Sequence, residues 1–214
     1  MIEHLLPDHV FTEESFDDPP GTPLFAAEEA LLTDAVDKRR REFTTVRRCA
    51  RRALGRMGVA PVPLLPGARG APGWPAGVVG SMTHCAGYRG AAVARAEDVL
   101  TIGIDAEPAL PLPEGVLAAV SSEAERAGLL DLAVRRPEIP WDRLLFGAKE
   151  CVYKAWYPVT SRWLDFEDAE IDFDAVEGTF TARLLIRDRP MDTFAGRWRV
   201  DGGIALTAIT VAAR

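Results

Sequence analysis

Thr101-Ile102-Gly103-Ile104-Asp105-Ala106-Glu107-Pro108 is the stretch on which the reading of this chain turns. Its residues alternate. A strand therefore puts Ile102 and Ile104 on a buried face and Gly103, Asp105 and Glu107 on the other, and Pro108, which cannot continue a ladder, ends it. Two carboxylates then project side by side, next to a glycine that would let a ligand approach the backbone. With no His or Cys adjacent, the pair suits a hard cation such as Mg²⁺ that keeps waters and phosphate oxygens as its remaining ligands. Taken alone, the motif fits a solvent-exposed strand end better.

Working outward, residues 78–84 and 90–95 read as short strands around an Ala86-Gly87 turn. Residues 60–77, with five Pro and four Gly, read as a long surface loop whose one basic residue is Arg69. Upstream, Leu32, Val36, Phe43, Val46, Ala50, Leu54 and Met57 follow three-and-four spacing. They predict a helix or helix pair, stopped by Gly58, that leaves its arginines to the other face. Thr22 and Pro23 resemble its N-cap and first helical position, with Glu28 and Glu29 near the positive end of the dipole. Residues 1–21 read as an irregular acidic lead-in.

Downstream, the Pro-rich link at residues 108–115 is the expected boundary between an N-terminal half, 1–107, and a C-terminal half, 108–214. A helix capped by Ser122 with Glu125 three residues on is followed by a longer one from about Pro140 to Tyr157, stopped by Pro158. Strands near residues 169–173, 179–186, 196–200 and 204–212 complete an α/β or α+β reading in which each half has helices and a small sheet.

An apolar content of 48% over 214 residues fills a core and excludes disorder. The net charge of −7 argues against a nucleic-acid binder. It hides an asymmetry: residues 38–56 hold nine basic residues and one acid, Glu42, so that stretch carries +8 and the remainder −15. A local anion site on an acidic body is expected. The first twenty residues do not read as an export signal and no apolar run approaches a membrane span, so the cytoplasm is the expected compartment and no membrane partner is expected. Cys49, Cys85 and Cys151, odd in number and without a CxxC pair, read as small buried hydrophobes.

Residues 146–154, Phe-Gly-Ala-Lys-Glu-Cys-Val-Tyr-Lys, lie in the longer helix, whose buried stripe is expected at Leu145, Ala148, Val152 and Trp156. Glu150 and Lys154 are four apart on a different face, and Lys149 pairs with Tyr153 in the same way. The chain has 22 Arg and only three Lys, two of them in this segment. A compact ammonium suits contact with one phosphate oxygen or delivery of a proton, whereas Arg would serve a surface bridge equally well. His84 follows Thr83 at a strand end and is the one histidine outside the lead-in.

Four segments in order resemble the Sfp/EntD type of 4′-phosphopantetheinyl transferase, nearest its actinobacterial members. They are Arg39 to Arg47, Ser81 to Arg89, Ile102 to Pro108 and Phe146 to Lys154. The resemblance implies an α+β fold of two similar halves related by a pseudo-two-fold, with the active site in the cleft between them. It implies coenzyme A as substrate and Mg²⁺, or Mn²⁺, held by Asp105, Glu107 and Glu150. Glu150 would also be the general base, and Lys154 would contact the leaving phosphate. Arg39, Arg47 and His84 would bind the 3′-phosphate end in the N-terminal half. Tyr153 and Trp163 would line the pantetheine channel in the C-terminal half, and Thr83 and Lys149 would also contact coenzyme A. Relatives carry a basic residue near Pro66, for which Arg69 would substitute here. The implied partners are apo acyl, peptidyl or polyketide carrier proteins, modified by a monomeric enzyme. A metal-dependent phosphohydrolase and a noncatalytic coenzyme A binder are the rival readings.

Overall fold

The acidic lead-in is ordered rather than irregular: residues Ile2–Leu5 form a 3-10 turn and Phe11–Ser15 form strand β1. Burial is the reason. Ile2, Leu5, Leu6 and Val10 enter the core, and the intervening acids have dedicated partners. Glu14 accepts from the Ile2 N–H at 3.1 Å and the Tyr88 hydroxyl at 2.9 Å, while Asp18 pairs with Arg89 at 2.8 Å. The structure, a computed structural model, describes residues 1–21 and 23–213, so the expected Thr22 cap lies outside the described residues.

The helix pair consists of α1 (Ala26–Glu29) and the 20-residue α2 (Asp37–Arg56), which ends at Met57 as its spacing predicts. The loop then reaches β2 (Val78–Cys85) and β3 (Tyr88–Arg95), an antiparallel hairpin; β1 adds to the far edge, giving the order β1-β3-β2. Both faces of β3 are buried. Ala91 and Val93 meet Ala50, Ala53 and Leu54 of α2, and Ala92 and Ala94 meet a second core containing Ile102, Ile104 and Leu206. Small side chains on β3 let the helix and the second core approach from opposite sides.

The rest of the chain supplies β4 (Val99–Pro108), α3 (Val116–Val120), α4 (Glu123–Arg135), α5 (Trp141–Thr160), β5 (Ala169–Asp174), β6 (Thr179–Leu184), β7 (Thr193–Asp201) and β8 (Ile204–Ala212). The strands form a second antiparallel sheet in the order β4-β8-β7-β6-β5. The fold is α+β: two antiparallel sheets, each carrying one long helix. The expected stripe Leu145, Ala148, Val152 and Trp156 is buried against the second sheet. Contrary to expectation, α5 runs through Pro158 and ends only at Ser161, whose φ of 55° is left-handed. A proline so near the end removes one terminal hydrogen bond and is tolerated there.

Two local features position the site. Among the described residues β2 and β4 lie side by side without a shared ladder; instead the Ile104 N–H donates to Ser81 Oγ and the Ala106 N–H to Thr83 Oγ1, each at 3.1 Å. Gly103 does not open the backbone to a ligand, as the sequence suggested. It admits α5: a Cβ there would lie 2.1 Å from the Cys151 carbonyl oxygen. In the contact so formed, Cys151 Sγ donates to the Gly103 carbonyl at 2.9 Å and Thr101 Oγ1 to the Ala155 carbonyl at 2.8 Å. Cys49 and Cys151 are buried and Cys85 half-buried. No helix among the described residues is long and apolar enough to cross a membrane.

Candidate active site

The strand-end carboxylates are not solvated. Asp105 is 4% exposed because α5 crosses β4 directly above it. Its Oδ1 accepts from Lys154 Nζ at 2.6 Å and from Thr83 Oγ1 at 3.2 Å, while Oδ2 is buried with no partner. Gly147 is small where Oδ2 lies; a Cβ on it would stand 3.3 Å away. Glu107, half-buried, accepts from Arg143 at 3.0 Å. Glu150 is half-buried and makes no side-chain hydrogen bond among the described residues.

Two pairings expected within α5 are absent. Lys154 turns to Asp105 and to the Ile104 carbonyl rather than to Glu150. Lys149, 4% exposed, pairs with Glu125 at 2.9 Å and donates to the Phe166 carbonyl at 2.7 Å rather than meeting Tyr153. Burial favours these partners, since a desolvated ammonium takes the carboxylate that can enclose it most fully.

The electrostatics follow from crowding of acids. Burial, then the charge of Asp105, pushes the Glu107 carboxyl above its usual range, against the pull of Arg143 and Lys154. Glu150 is raised by burial and, more weakly, by Asp105, against the pull of Lys154. For Lys154 burial acts downward, but Asp105 and Glu150 outweigh it and hold the ammonium above its ordinary value. Asp105 Oδ2 is an orphaned buried acceptor, its charge acts on two carboxyls that resist ionising, and all three donors are hard oxygens. That donor chemistry fits a divalent cation. In the present side-chain positions, however, no three His, Cys, Asp or Glu groups among the described residues are close enough together to hold one.

A cleft of about 490 Å³ joins this group to α2 and the Pro/Gly-rich loop, within the size range of small-molecule sites. Arg39, Arg47, Arg69, His84, Glu150, Tyr153 and Lys154 all line it. Arg39 Nη1 lies 3.0 Å from His84 Nε2. An arginine can only donate, so Nε2 accepts and His84 is neutral with its proton on Nδ1, facing Glu42 at 3.8 Å. Burial lowers the His84 pKa; Glu42 opposes this, while Arg39, Arg89 and Lys154 add to it. The expectation that the helix leaves its arginines to the face away from its apolar stripe fails at Arg47, which is 6% exposed, with its guanidinium 3.2 Å above the Phe43 ring. Burial lowers its pKa to about 10.

Arg69 reaches across the cleft to within 5.1 Å of the Trp163 ring, and Trp163 lies 5.0 Å from Tyr153 between ring centroids. These three, with Lys149 and Glu150, line an adjoining cavity of about 320 Å³. The Tyr153 hydroxyl is buried without a partner. The Thr83 hydroxyl is committed to Asp105 and Ala106. Sequence reasoning missed Arg143, although Arg143, Gly147, Glu150 and Lys154 share one helix face by their four-three-four spacing. It also missed Glu28, a first-turn acid that turns out to be wholly buried.

Fold and site together define an α+β protein with a cleft lined by arginines and a histidine from α2, the loop and β2, and by Glu150 and Lys154 from α5. The chain belongs to the 4′-phosphopantetheinyl transferase family, a family of enzymes: residues 27–94 match the profile of its N-terminal domain and residues 101–208 that of the superfamily. It is 58% identical to 4′-phosphopantetheinyl transferase Svp of Streptomyces mobaraensis, over 100% of this chain and 90% of the relative. It is 48% identical to 4′-phosphopantetheinyl transferase PptT of Mycobacterium tuberculosis (99% and 98% covered) and 47% to 4′-phosphopantetheinyl transferase Npt of Nocardia iowensis (99% and 100%).

Proposed function

We infer that this chain transfers the 4′-phosphopantetheine group from coenzyme A to a serine of apo carrier proteins, releasing adenosine 3′,5′-bisphosphate. The observation that carries the reading is one continuous cleft lined by Arg39 and Arg47 of α2, His84 of β2, and Glu150 and Lys154 of α5, with the buried Asp105 bonded to Lys154 behind its wall. A molecule with a phosphate at one end and a diphosphate further along meets matching charge at both places.

Residues take roles accordingly. Arg39, Arg47 and His84 hold the 3′-phosphate, and Tyr153, Trp163 and Arg69 border the pantetheine arm. Asp105, Glu107 and Glu150 would hold Mg²⁺, which when bound neutralises diphosphate charge. Glu150 takes the proton from the carrier serine; a cation held beside it would lower its pKa, so positioning and charge neutralisation would supply most of the acceleration. The serine oxygen bonds to the β-phosphorus as the bond to the bridging oxygen breaks, and the Lys154 ammonium stabilises the charge left on that oxygen. Lys149 acts at one remove by fixing the Phe166 carbonyl at the cavity wall.

We also read the two halves as related by a pseudo-two-fold. Supporting this, Glu28 and Glu125 occupy equivalent places: each lies in the first turn of a helix and accepts from its N-cap N–H. Each also accepts from a distant backbone N–H, of Leu64 and Ile171 respectively, and from a cation on a 20-residue helix, Arg51 and Lys149. Incubation with coenzyme A, Mg²⁺ and apo carrier proteins, followed by intact-protein mass spectrometry, tests the activity. A carrier gaining one phosphopantetheine supports transfer; hydrolysed coenzyme A with unmodified carrier supports a phosphohydrolase.

A further inference from the structure

Glu28 lies in the first turn of α1 and is 0% exposed, yet it is not among the residues that line the cleft. A carboxylate so completely desolvated persists only if its oxygens are bonded all round. The Phe25 N–H donates to it at 3.0 Å, Arg51 Nη1 lies 2.9 Å from each oxygen, and the Leu64 N–H donates at 2.9 Å. Arg47 Nε stands 3.6 Å away and donates to the Leu64 carbonyl at 2.9 Å. The Leu64 peptide is therefore held from both sides, and Leu64 is itself fully buried.

The geometry separates Arg47 into two parts. Its Nε is used by the Leu64 carbonyl and its plane is stacked on Phe43, and among the described residues no hydrogen bond engages its two Nη groups. Those groups remain for whatever enters the cleft that Arg47 lines. Leu64 also marks where the chain leaves the core for the loop that carries Arg69 to Trp163. One buried acid thus sets the orientation of a guanidinium on one wall and the take-off point of the loop on another.

We propose that Glu28 is a positioning residue for coenzyme A, fixing Arg47 so that its Nη groups meet the 3′-phosphate; the proposal rests on the reading of this cleft as the coenzyme A site. Glu28 touches no substrate and acts through Arg47 and Leu64. Its charge offsets the repulsion that Arg39 and Arg51 exert on Arg47. A neutral amide in its place retains shape but leaves one acceptor oxygen where there were two and removes the charge, which frees Arg47 to swing away from its neighbours, so binding should suffer before chemistry does.

The test uses the full-length enzyme and its Glu28→Gln, Glu28→Asp and Glu125→Gln variants. Coenzyme A and 3′-dephospho-coenzyme A are titrated by calorimetry, and transfer kinetics are followed with one apo carrier. Glu28→Gln should weaken coenzyme A about tenfold while changing 3′-dephospho-coenzyme A less than about twofold, the loss expected when one charge-assisted contact is misplaced. The KM for coenzyme A should rise with kcat retained. Glu28→Asp, which retains the charge and folds more readily, should shift the same ratio in the same direction by about threefold. Glu125→Gln breaks an equivalent clamp in the other half and should leave the ratio at its wild-type value, which separates positioning from general damage. Wild-type ratios in both Glu28 variants, or in Glu28→Asp if the amide variant does not fold, would overturn the proposal. A wild-type enzyme without preference for the 3′-phosphate would instead overturn the reading of the cleft on which it rests.

Discussion

Asp105 has opposite demands on its two oxygens: Oδ1 is saturated by Lys154 and Thr83, and Oδ2 has no partner. Asp105→Ala would leave the Lys154 ammonium without its counter-charge, so the variant should lose about 2 kcal/mol of stability as well as activity, read from its urea midpoint. Glu150 has no such structural duty. Glu150→Gln should therefore keep the wild-type midpoint while turnover falls more than about a hundredfold, the usual scale for a lost general base, and by more than coenzyme A binding weakens. An unchanged turnover would remove Glu150 from the chemistry. His84 predicts a pH effect. Its pKa is lowered in the free protein, and a bound phosphate dianion raises it, so binding takes up a proton and coenzyme A affinity falls as pH rises through the interval between the two values. His84→Gln should flatten that slope in calorimetry at several pH values. The same lowering makes folding less favourable as pH drops below His84's ordinary value. These residues were legible in sequence because they sit in motifs, Asp105 and Glu107 alternating on a strand and Glu150 four residues from a scarce lysine, or, like His84, are themselves scarce. Glu28 and Arg143 were not, because a lone Glu or Arg in a helix is the commonest surface residue and only the packed structure reveals its burial.

At the scale of elements, β4 and α5 are decisive, and both were readable from period alone: alternation for the strand, three-and-four spacing for the helix. Their contact was not readable. The glycine in the strand suggested room for a ligand, whereas the neighbour it admits is the backbone of α5 at Cys151. Gly103→Ala should therefore cost at least about 3 kcal/mol, because the clash is with a carbonyl that cannot rotate away; a thermal melt within a few degrees of wild type would show that α5 can shift. Strand β1 was missed for a related reason. Its acidic residues hide a pattern whose stability comes from distant partners, the Tyr88 hydroxyl and Arg52, and no local window contains them. The extension of α5 past Pro158 shows the same override, with tertiary packing of Trp156 outweighing one missing hydrogen bond.

Across the whole molecule, the two sheets meet through hydroxyls rather than through a ladder, with Ser81 and Thr83 standing in for backbone carbonyls. Thr83→Val should remove about 1 to 2 kcal/mol and speed hydrogen exchange at the Ala106 amide specifically, leaving amides inside either sheet protected. The charge asymmetry seen in sequence is partly consumed internally: Arg51 serves Glu28, Arg52 pairs with Glu13 at 2.9 Å, and Arg56 donates to the Thr12 carbonyl at 2.9 Å. Fewer arginines are therefore available to a carrier protein than composition suggested. The placement of the three cysteines has a different consequence. Coenzyme A and the finished carrier both end in a sulfhydryl, and exchange with a protein sulfur requires an accessible thiolate. Burial raises Cys49 to about 11 and Cys85 to about 12, and it pushes Cys151 up while that sulfur is bonded to Gly103. The protein thus handles reactive sulfur on both sides of its reaction while offering none of its own, and exposure to oxidised coenzyme A should leave its intact mass unchanged.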